Sequence, residues 1–595
     1  MAVLDLATLV EPVGTVIYGE QNRMGISVVG GLGDVNNDGY EYFAVSNSEI
    51  PESGALHVVF GKARPGASID LTNLGSGGVK IQGLHSQHGL GVSVSSAGDT
   101  NGDGFGDFLV GALNRGISDG NLWGEAYLIF GSSSLPAVID LSALGSGGVR
   151  LLSPAIGSLL GLSVSGAGDV NADGYSDIIV GAPSSIGKSY LVFGRSNFPT
   201  TIDVSQITGL VTITGSQSDF AGHVSGSGDV NGDGYSDLLI GAPGGDAMLD
   251  AKTDAGESYI VFGGPSLPAS IQLSNLGSAG VTIFGADAGD RSGGVLNILG
   301  DVNGDGFDEI AIAAQQADSA GNAKPDAGES YIVFGKAALP ATIDLAALGN
   351  AGATIWGADT GDLSGFSLDG AGDLNADGYD DLIIGALAAD SLNNSRTDAG
   401  ESYVIFGGAA LASSIDLAAL GNSGLTIWGA DSYDESGNSV GGAGDVNGDG
   451  FDDLLIGAPG GDGLGNNSLG LGESYLVLGA NQFTNSVTHP GTAASETLIG
   501  SAAANVMVGG RGNDVLVGNG GGDILRAGQG NDVLAVSSTN FKRINGGTGN
   551  DVLRLDGAGL SLNLTSIKDN RISNVETIDL TGSGNNTLTL NQAEC

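Results

Sequence analysis

The chain has 595 residues, a formal net charge of −47 and a hydrophobic content of 41 %. That length suits several domains or one large repeat array, and the acidity argues against nucleic acid and anionic membrane surfaces as partners. Glycine numbers 108 but follows no Gly-X-Y period, which excludes collagen. Cys595 is the single cysteine, so no intrachain disulfide can form. No apolar run approaches a membrane span. The opening Met-Ala-Val-Leu-Asp-Leu has neither a basic stretch nor an apolar core, so no cleavable secretory signal is expected.

In chain order, the first recurring element is a nine-residue loop starting at Asp34. Asn36 and Asp38 supply oxygens at positions 3 and 5, but Tyr42 stands at position 9 with Glu41 beside it. This copy is expected to bind weakly or not at all. The second copy has Asp99, Asn101, Asp103, Phe105 for its position-7 carbonyl, and Asp107. The third has Asp169, Asn171, Asp173, Tyr175 and Asp177; the fourth Asp229, Asn231, Asp233, Tyr235 and Asp237. The fifth, Asp301, Asn303, Asp305 and Phe307, ends in Glu309, whose extra methylene is expected to shift the geometry. The sixth has Asp373, Asn375, Asp377, Tyr379 and Asp381; the seventh Asp445, Asn447, Asp449, Phe451 and Asp453. Glycine at position 6, as at Gly234, permits the sharp turn. Alternating oxygens wrapped around such a turn suit calcium. A helical calcium hand would need an acid at position 12. Val45, Val110, Val180, Ile240, Ile312, Ile384 and Ile456 stand there, all β-branched and all inside predicted strands.

Each repeat reads as four short strands with Gly-rich turns and no helical period. In the fourth these are Gly222–Gly228, Leu238–Gly241, Gly256–Gly263, and Ile271-Gln-Leu with Val281–Gly285 for the last. Seven such units predict an all-β, seven-bladed β-propeller. Phe-Gly stands at Phe60, Phe130, Phe193, Phe262, Phe334 and Phe406, with Leu478 in the last copy. Gly-Ala-Pro is complete at Gly181–Pro183, Gly241–Pro243 and Gly457–Pro459. These signatures resemble FG-GAP repeats, as in the head of integrin α subunits. The resemblance implies metal loops on one propeller face and partners on the other.

After about residue 483 the period becomes nine. Glu496, Asn505, Asp514, Asp523 and Asp532 are evenly spaced, and Gly509–Val517 and Gly546–Arg554 are full Gly-Gly-x-Gly-x-Asp-x-apolar-x units. The segment resembles the repeats-in-toxin parallel β-roll, which implies calcium between coils, held through Asp514, Asp523, Asp532 and Asp551. The expected organisation is a propeller over 1–483 whose N-terminal strand closes blade 7, a roll over 484–556, and a β-rich tail over 557–595 that a truncation would explain. Residues 491–508 read as eroded copies forming a cap.

No catalytic constellation emerges. His57, His85, His88, His223 and His489 form no zinc helix, and His85-x-x-His88 reads as a solvated pair. Gly437–Gly441 matches the nucleophile-elbow string but lies in a strand without a following helix. Glu257, Glu329, Glu401 and Glu473 recur in Gly-Glu-Ser-Tyr, which suggests a structural role. Trp123, Trp356 and Trp428 are too few for a sugar-stacking stripe and read as core. The expected function is a non-catalytic, secreted or surface-attached bacterial calcium-binding protein of adhesion or matrix type, exported by a type I-like route. It would bind a glycan or a protein on the face opposite the calcium loops. A self-assembling subunit of a filament or surface layer is the alternative, and the propeller part of an extracellular hydrolase or lyase a further one.

Overall fold

The computed structural model describes residues 2–19, 29–47, 54–84, 88–115, 122–153, 157–184, 187–206, 209–216, 219–247, 252–463, 470–484 and 486–590. His85 and Cys595 lie outside these residues. Runs of β-branched and aromatic residues between turn-forming Gly, Asn and Asp pair antiparallel into seven blades. The fourth is the template: Val261 to Glu257 faces Leu238 to Ala242 on one side and Gly280 to Phe284 on the other, while the inner strand His223–Gly228 lines the axis. Small inner-strand residues let neighbouring blades crowd together, and their serines bond across the gap. Val224 N donates to Ser163 Oγ at 3.0 Å and Ile298 N to Ser225 Oγ at 3.1 Å. Val29 N donates to Ser439 Oγ at 3.2 Å, which joins blade 1 to blade 7.

The Ile-x-Leu segment lies elsewhere than expected. Instead of helping form its own blade's last strand, Ser270–Gln272 runs parallel to Leu210–Thr214, the outer strand of the preceding blade. Thr342–Asp344 and Ser414–Asp416 do the same one and two blades on. Each blade thus gains a fifth strand that covers its outer edge, which blunts the unpaired row of backbone groups there. The N-terminus follows this logic twice. Ala2–Asp5 lies parallel to Gly424–Trp428 of blade 6, and Gly14–Tyr18 pairs antiparallel with Glu473–Val477 as the outer strand of blade 7. Buried clusters lie between adjacent blades, as where Ile179 and Leu191 meet Leu238 and Tyr259.

Beside one short parallel pair, Ser561–Asn563 with Thr587–Thr589, the C-terminal strands form two large parallel sheets. One stacks His489–Thr492, Val506–Arg511, Ile524–Gly530, Arg543–Asn545 and Ile572–Ser573; the other stacks Thr497–Ile499, Val515–Val517, Val533–Val536, Val552–Leu555 and Thr577–Asp579. This is a β-roll whose first rungs include the segment expected as a cap. Met507, Leu516, Leu525, Leu534, Phe541, Ile544 and Leu553 fill its interior. Among the described residues no helix is long and apolar enough to cross a membrane.

Candidate metal centres

Each propeller loop is organised by its first aspartate. Asp229 Oδ1 accepts from the N–H of Gly232 at 2.6 Å and of Asp233 at 3.1 Å, and its Oδ2 from Gly234 at 2.8 Å. Asp233 then caps Tyr235 N at 3.2 Å. The position-6 glycine N–H bonds the second oxygen in the same way at Asp99, Asp169, Asp301, Asp373 and Asp445. This turns the chain so that the position-3 asparagine faces inward. Asn171, Asn231 and Asn375 each bury an Oδ1 with no hydrogen-bond partner. A buried oxygen left unpaired is costly, and a cation would satisfy it.

The position-9 carboxylates are buried and have a second task. Asp237 Oδ2 accepts from Val230 N at 3.0 Å and Oδ1 from Gly263 N at 2.9 Å. Asp107, Asp177, Asp381 and Asp453 repeat this with Gly131, Gly194, Gly407 and Gly479. The Phe-Gly glycine is therefore tied to the loop's position-9 carboxylate, a role that sequence spacing alone did not expose. It also has to be small: a Cβ on Gly263 would come within 2.9 Å of the Val170 carbonyl in the preceding blade. The adjacent Gly264 N donates to that carbonyl at 2.9 Å, and Ser236 N donates to Asp169 O at 3.3 Å. Bonds of this kind also join blade 1 to blade 7, from Lys62 N to Val446 O and from Glu41 N to Asp445 O.

Two loops depart from the pattern. Glu309 keeps the usual bond from Val302 N at 2.9 Å, but its other oxygen takes the Asn303 amide at 2.8 Å. In the first loop the Tyr42 hydroxyl donates to Asp38 Oδ2 at 2.8 Å while its ring stacks on Phe60. A phenol thus occupies loop position 9 and engages the position-5 carboxylate.

Burial, reinforced by neighbouring carboxylates, pushes Asp177 up to about 7, Asp237 to about 8 and Glu309 to about 10. Such groups hold protons tightly because a bare anion there is poorly stabilised, and a cation relieves the same strain. Among the described residues, no three His, Cys, Asp or Glu side chains converge as a metal cluster. The donor set is instead mixed, with carboxylates, one asparagine amide and backbone oxygens. Hard cations take such a set, so the residues fit calcium.

In the roll the acids climb as a ladder, one full coil apart. Glu496 N donates to Asp514 Oδ1, Asp514 N to Asp532 Oδ1 and Asp532 N to Asp551 Oδ1, at 2.6–2.7 Å. Asp523 takes Asn505 N at 2.9 Å on the opposite side. The second oxygens of Asp514, Asp532 and Asp551 are buried without partners. Burial raises Asp532 and Asp551 to about 7.

The FG-GAP repeat profile matches residues 160–192, 221–261, 298–333, 364–405 and 436–488, and the RTX calcium-binding nonapeptide repeat profile matches 491–534. The chain carries FG-GAP repeats followed by RTX repeats. Integrin alpha-V of Gallus gallus is 31 % identical over 243 residues, covering 39 % of this chain and 20 % of the integrin. Integrin alpha-PS2 of Drosophila melanogaster is 30 % identical over 242 residues, covering 40 % and 16 %. The matched region thus spans a fifth or less of these relatives' length. The repeats are thus of the FG-GAP and RTX calcium-binding types, and the propeller region is similar to integrin α chains.

The remaining candidates take structural places. Both ring nitrogens of His88 are engaged, by Leu84 N and the Tyr127 hydroxyl. Ser439 of the elbow string is the inter-blade acceptor already described. In Gly-Glu-Ser-Tyr the tyrosine hydroxyl bonds the glutamate two residues back, as in Tyr331 with Glu329 and Tyr475 with Glu473. Trp356 and Trp428 are half-buried at the ends of outer strands, opposite Glu329 and Glu401, rather than in the core.

Proposed function

We propose that this chain is a non-catalytic, secreted or cell-surface bacterial protein of adhesion or matrix type, whose propeller and roll are rigidified by calcium. Loops 2 to 7 each hold one ion, through the residues at positions 1, 3, 5 and 9 and the position-7 carbonyl. The first loop binds weakly, because Tyr42 replaces the ninth ligand. Asp514, Asp523, Asp532 and Asp551 hold further ions between coils. The observation that carries the reading is the pairing of two independent calcium-type repeats, each with buried oxygens that lack partners. Likeness to integrin α chains supports the adhesive role and a place outside the cell.

The partner, a glycan or a protein, binds the propeller face opposite the calcium loops. Antiparallel strand order supports this reading, because the described parts of the long connections, 244–247, 252–255, 313–327, 386–399, 460–463 and 470–471, adjoin the strand ends opposite the calcium loops; residues 248–251 and 464–469 lie outside the described residues. Loops on a rigid scaffold commonly carry function. A cavity of about 240 Å³ lies there, lined by His223, Pro243, Arg291 and Gln315. A glycan and matrix-protein binding screen in calcium tests the role. Replacing 313–327 and 386–399 with short Gly-Ser links should abolish any binding found. Unchanged binding would move the site elsewhere.

A further inference from the structure

The repeats differ systematically at loop position 8. Blades 2 to 4 carry Gly106, Ser176 and Ser236, whereas blades 5 to 7 carry Asp308, Asp380 and Asp452. Each of these aspartates accepts, through one oxygen, the N–H of the first loop residue of the preceding blade: Asp229 N at 2.8 Å, Asp301 N at 2.9 Å and Asp373 N at 2.7 Å. Each also meets one side chain from the roll. Asn570 donates to Asp308 Oδ1 at 3.0 Å, Arg543 to Asp380 Oδ1 at 2.9 Å, and Arg526 to Asp452 Oδ2 at 2.9 Å. Arg526 is almost wholly buried and also forms an ion pair with Asp373 Oδ2 at 2.9 Å. Charge-assisted contacts of this kind are strong when desolvated, and a buried charge that loses its partner is destabilising.

The contact continues beyond the acids. Val508 and Val487 pack with Ala376, and Phe451 packs against them. Lys568 Nζ sits 3.4 Å above the Phe307 ring. On blade 1, Thr548 Oγ1 donates to Gly39 O at 2.6 Å and Arg511 to Ala63 O at 2.9 Å. The footprint covers blades 5, 6, 7 and 1, reaches Gly232 of the blade 4 loop through Lys568, and so crosses the seam where the N-terminal strand closes the ring.

We propose that the roll is the built-in partner of the propeller's calcium-loop face, selected by the position-8 aspartates of blades 5 to 7 through Arg526, Arg543 and Asn570. Calcium, by ordering the coils that present Arg526 and Arg543, closes the roll as a strap over the ring seam. This face is therefore taken by the chain itself, except at the loops of blades 2 and 3. The calcium coupling rests on the proposed metal sites in the coils; the docking does not.

The test is hydrogen exchange on the full chain, in calcium and in chelator. Loops 373–381 and 445–453 are compared with loops 99–107 and 169–177, which the roll leaves open. In calcium the first pair should exchange at least about tenfold more slowly than the second. In the double variant Arg526→Gln, Arg543→Gln that excess should vanish, while the roll's own calcium-induced protection and the loops of blades 2 and 3 stay as in the parent. Arg526→Lys, which keeps the charge but not the fork, should retain part of the excess. An excess that survives the double variant overturns the arginine lock, and no excess in the parent overturns the docking. Equal roll protection in calcium and chelator removes the metal reading of the coils. If the excess also persists in chelator, the docking stands and its coupling to calcium falls.

Discussion

Val16 lies directly opposite Tyr475 in the antiparallel register that completes blade 7, with nearly the whole propeller between them in sequence. Tyr475 is buried and Ile17, beside Val16, is 1 % exposed. Arg396 fastens the same terminus to blade 6 by pairing with Asp5 at 2.7 Å. Loop-closure entropy opposes so distant a contact, but it grows only slowly with length.

Deleting residues 1–20 should therefore strip the edge from blade 7 and uncover Tyr475 and Leu476. The melting temperature should fall by more than about 5 °C, and the protein should self-associate through the bared strand. Calorimetry and size-exclusion chromatography check this. An unchanged melt and a monomeric peak would mean that the ring does not depend on this strand.

Gly263→Ala should destabilise blade 4 by about 2–4 kcal/mol. The new methyl group meets the carbonyls of Ser236 and Val170, and backbone has little room to give. Gly408→Ala, at the position equivalent to Gly264 two blades on, is the control, because no atom lies within 4 Å of a Cβ there and its φ is not left-handed; it should cost far less. Chemical denaturation of both variants decides whether the Phe-Gly glycine is fixed by this approach.

Much of this was legible in the sequence. The seven loops announce themselves because the metal-type oxygens and the position-6 glycine must recur in phase, and the nonapeptides because each coil repeats one turn. The fifth strand was not legible. Ser270-Ile-Gln is as short as any turn, and only the neighbouring blade gives it a partner. Nor was the double role of Asp237, since its tie to Gly263 joins residues of different motifs. The role of the acids at position 8 was not legible either, because their partners Arg526 and Arg543 come from a different repeat type.

Asp233→Asn should lower the number of bound calcium ions by about one, since it removes a carboxylate from a loop whose asparagine oxygen is otherwise unpartnered. Asp38→Asn should leave that number nearly unchanged, because Tyr42 already engages Asp38. Equilibrium dialysis on both variants separates the cases. Equal losses would show that the first loop binds like the rest.

The pH dependence should weaken with calcium. Burial, together with nearby carboxylates, holds Asp177 at about 7, Asp237 at about 8, and Asp290, Asp362 and Asp434 at about 7, all above the ordinary aspartate value of about 3.9. Folded groups with raised values bind protons that the unfolded chain releases. Their stabilisation is complete below about pH 4 and is lost as pH rises through 7 to 8. Calcium-free protein should thus melt lower at pH 8.5 than at pH 5.5. Saturating calcium displaces the protons from Asp177 and Asp237, so the calcium-induced rise in melting temperature should be larger at pH 8.5. A calcium-free melt that climbs with pH would contradict the burial of these groups.

The central claim is that both repeat types are calcium sites. Anomalous diffraction from crystals grown in calcium tests it most directly. The account predicts a peak within each of loops 2 to 7, beside the free oxygens of Asn171, Asn231 and Asn375 where those are present, and further peaks between coils at Asp514, Asp532 and Asp551. Loops and coils that bind only water under these conditions, with no anomalous signal, would contradict it.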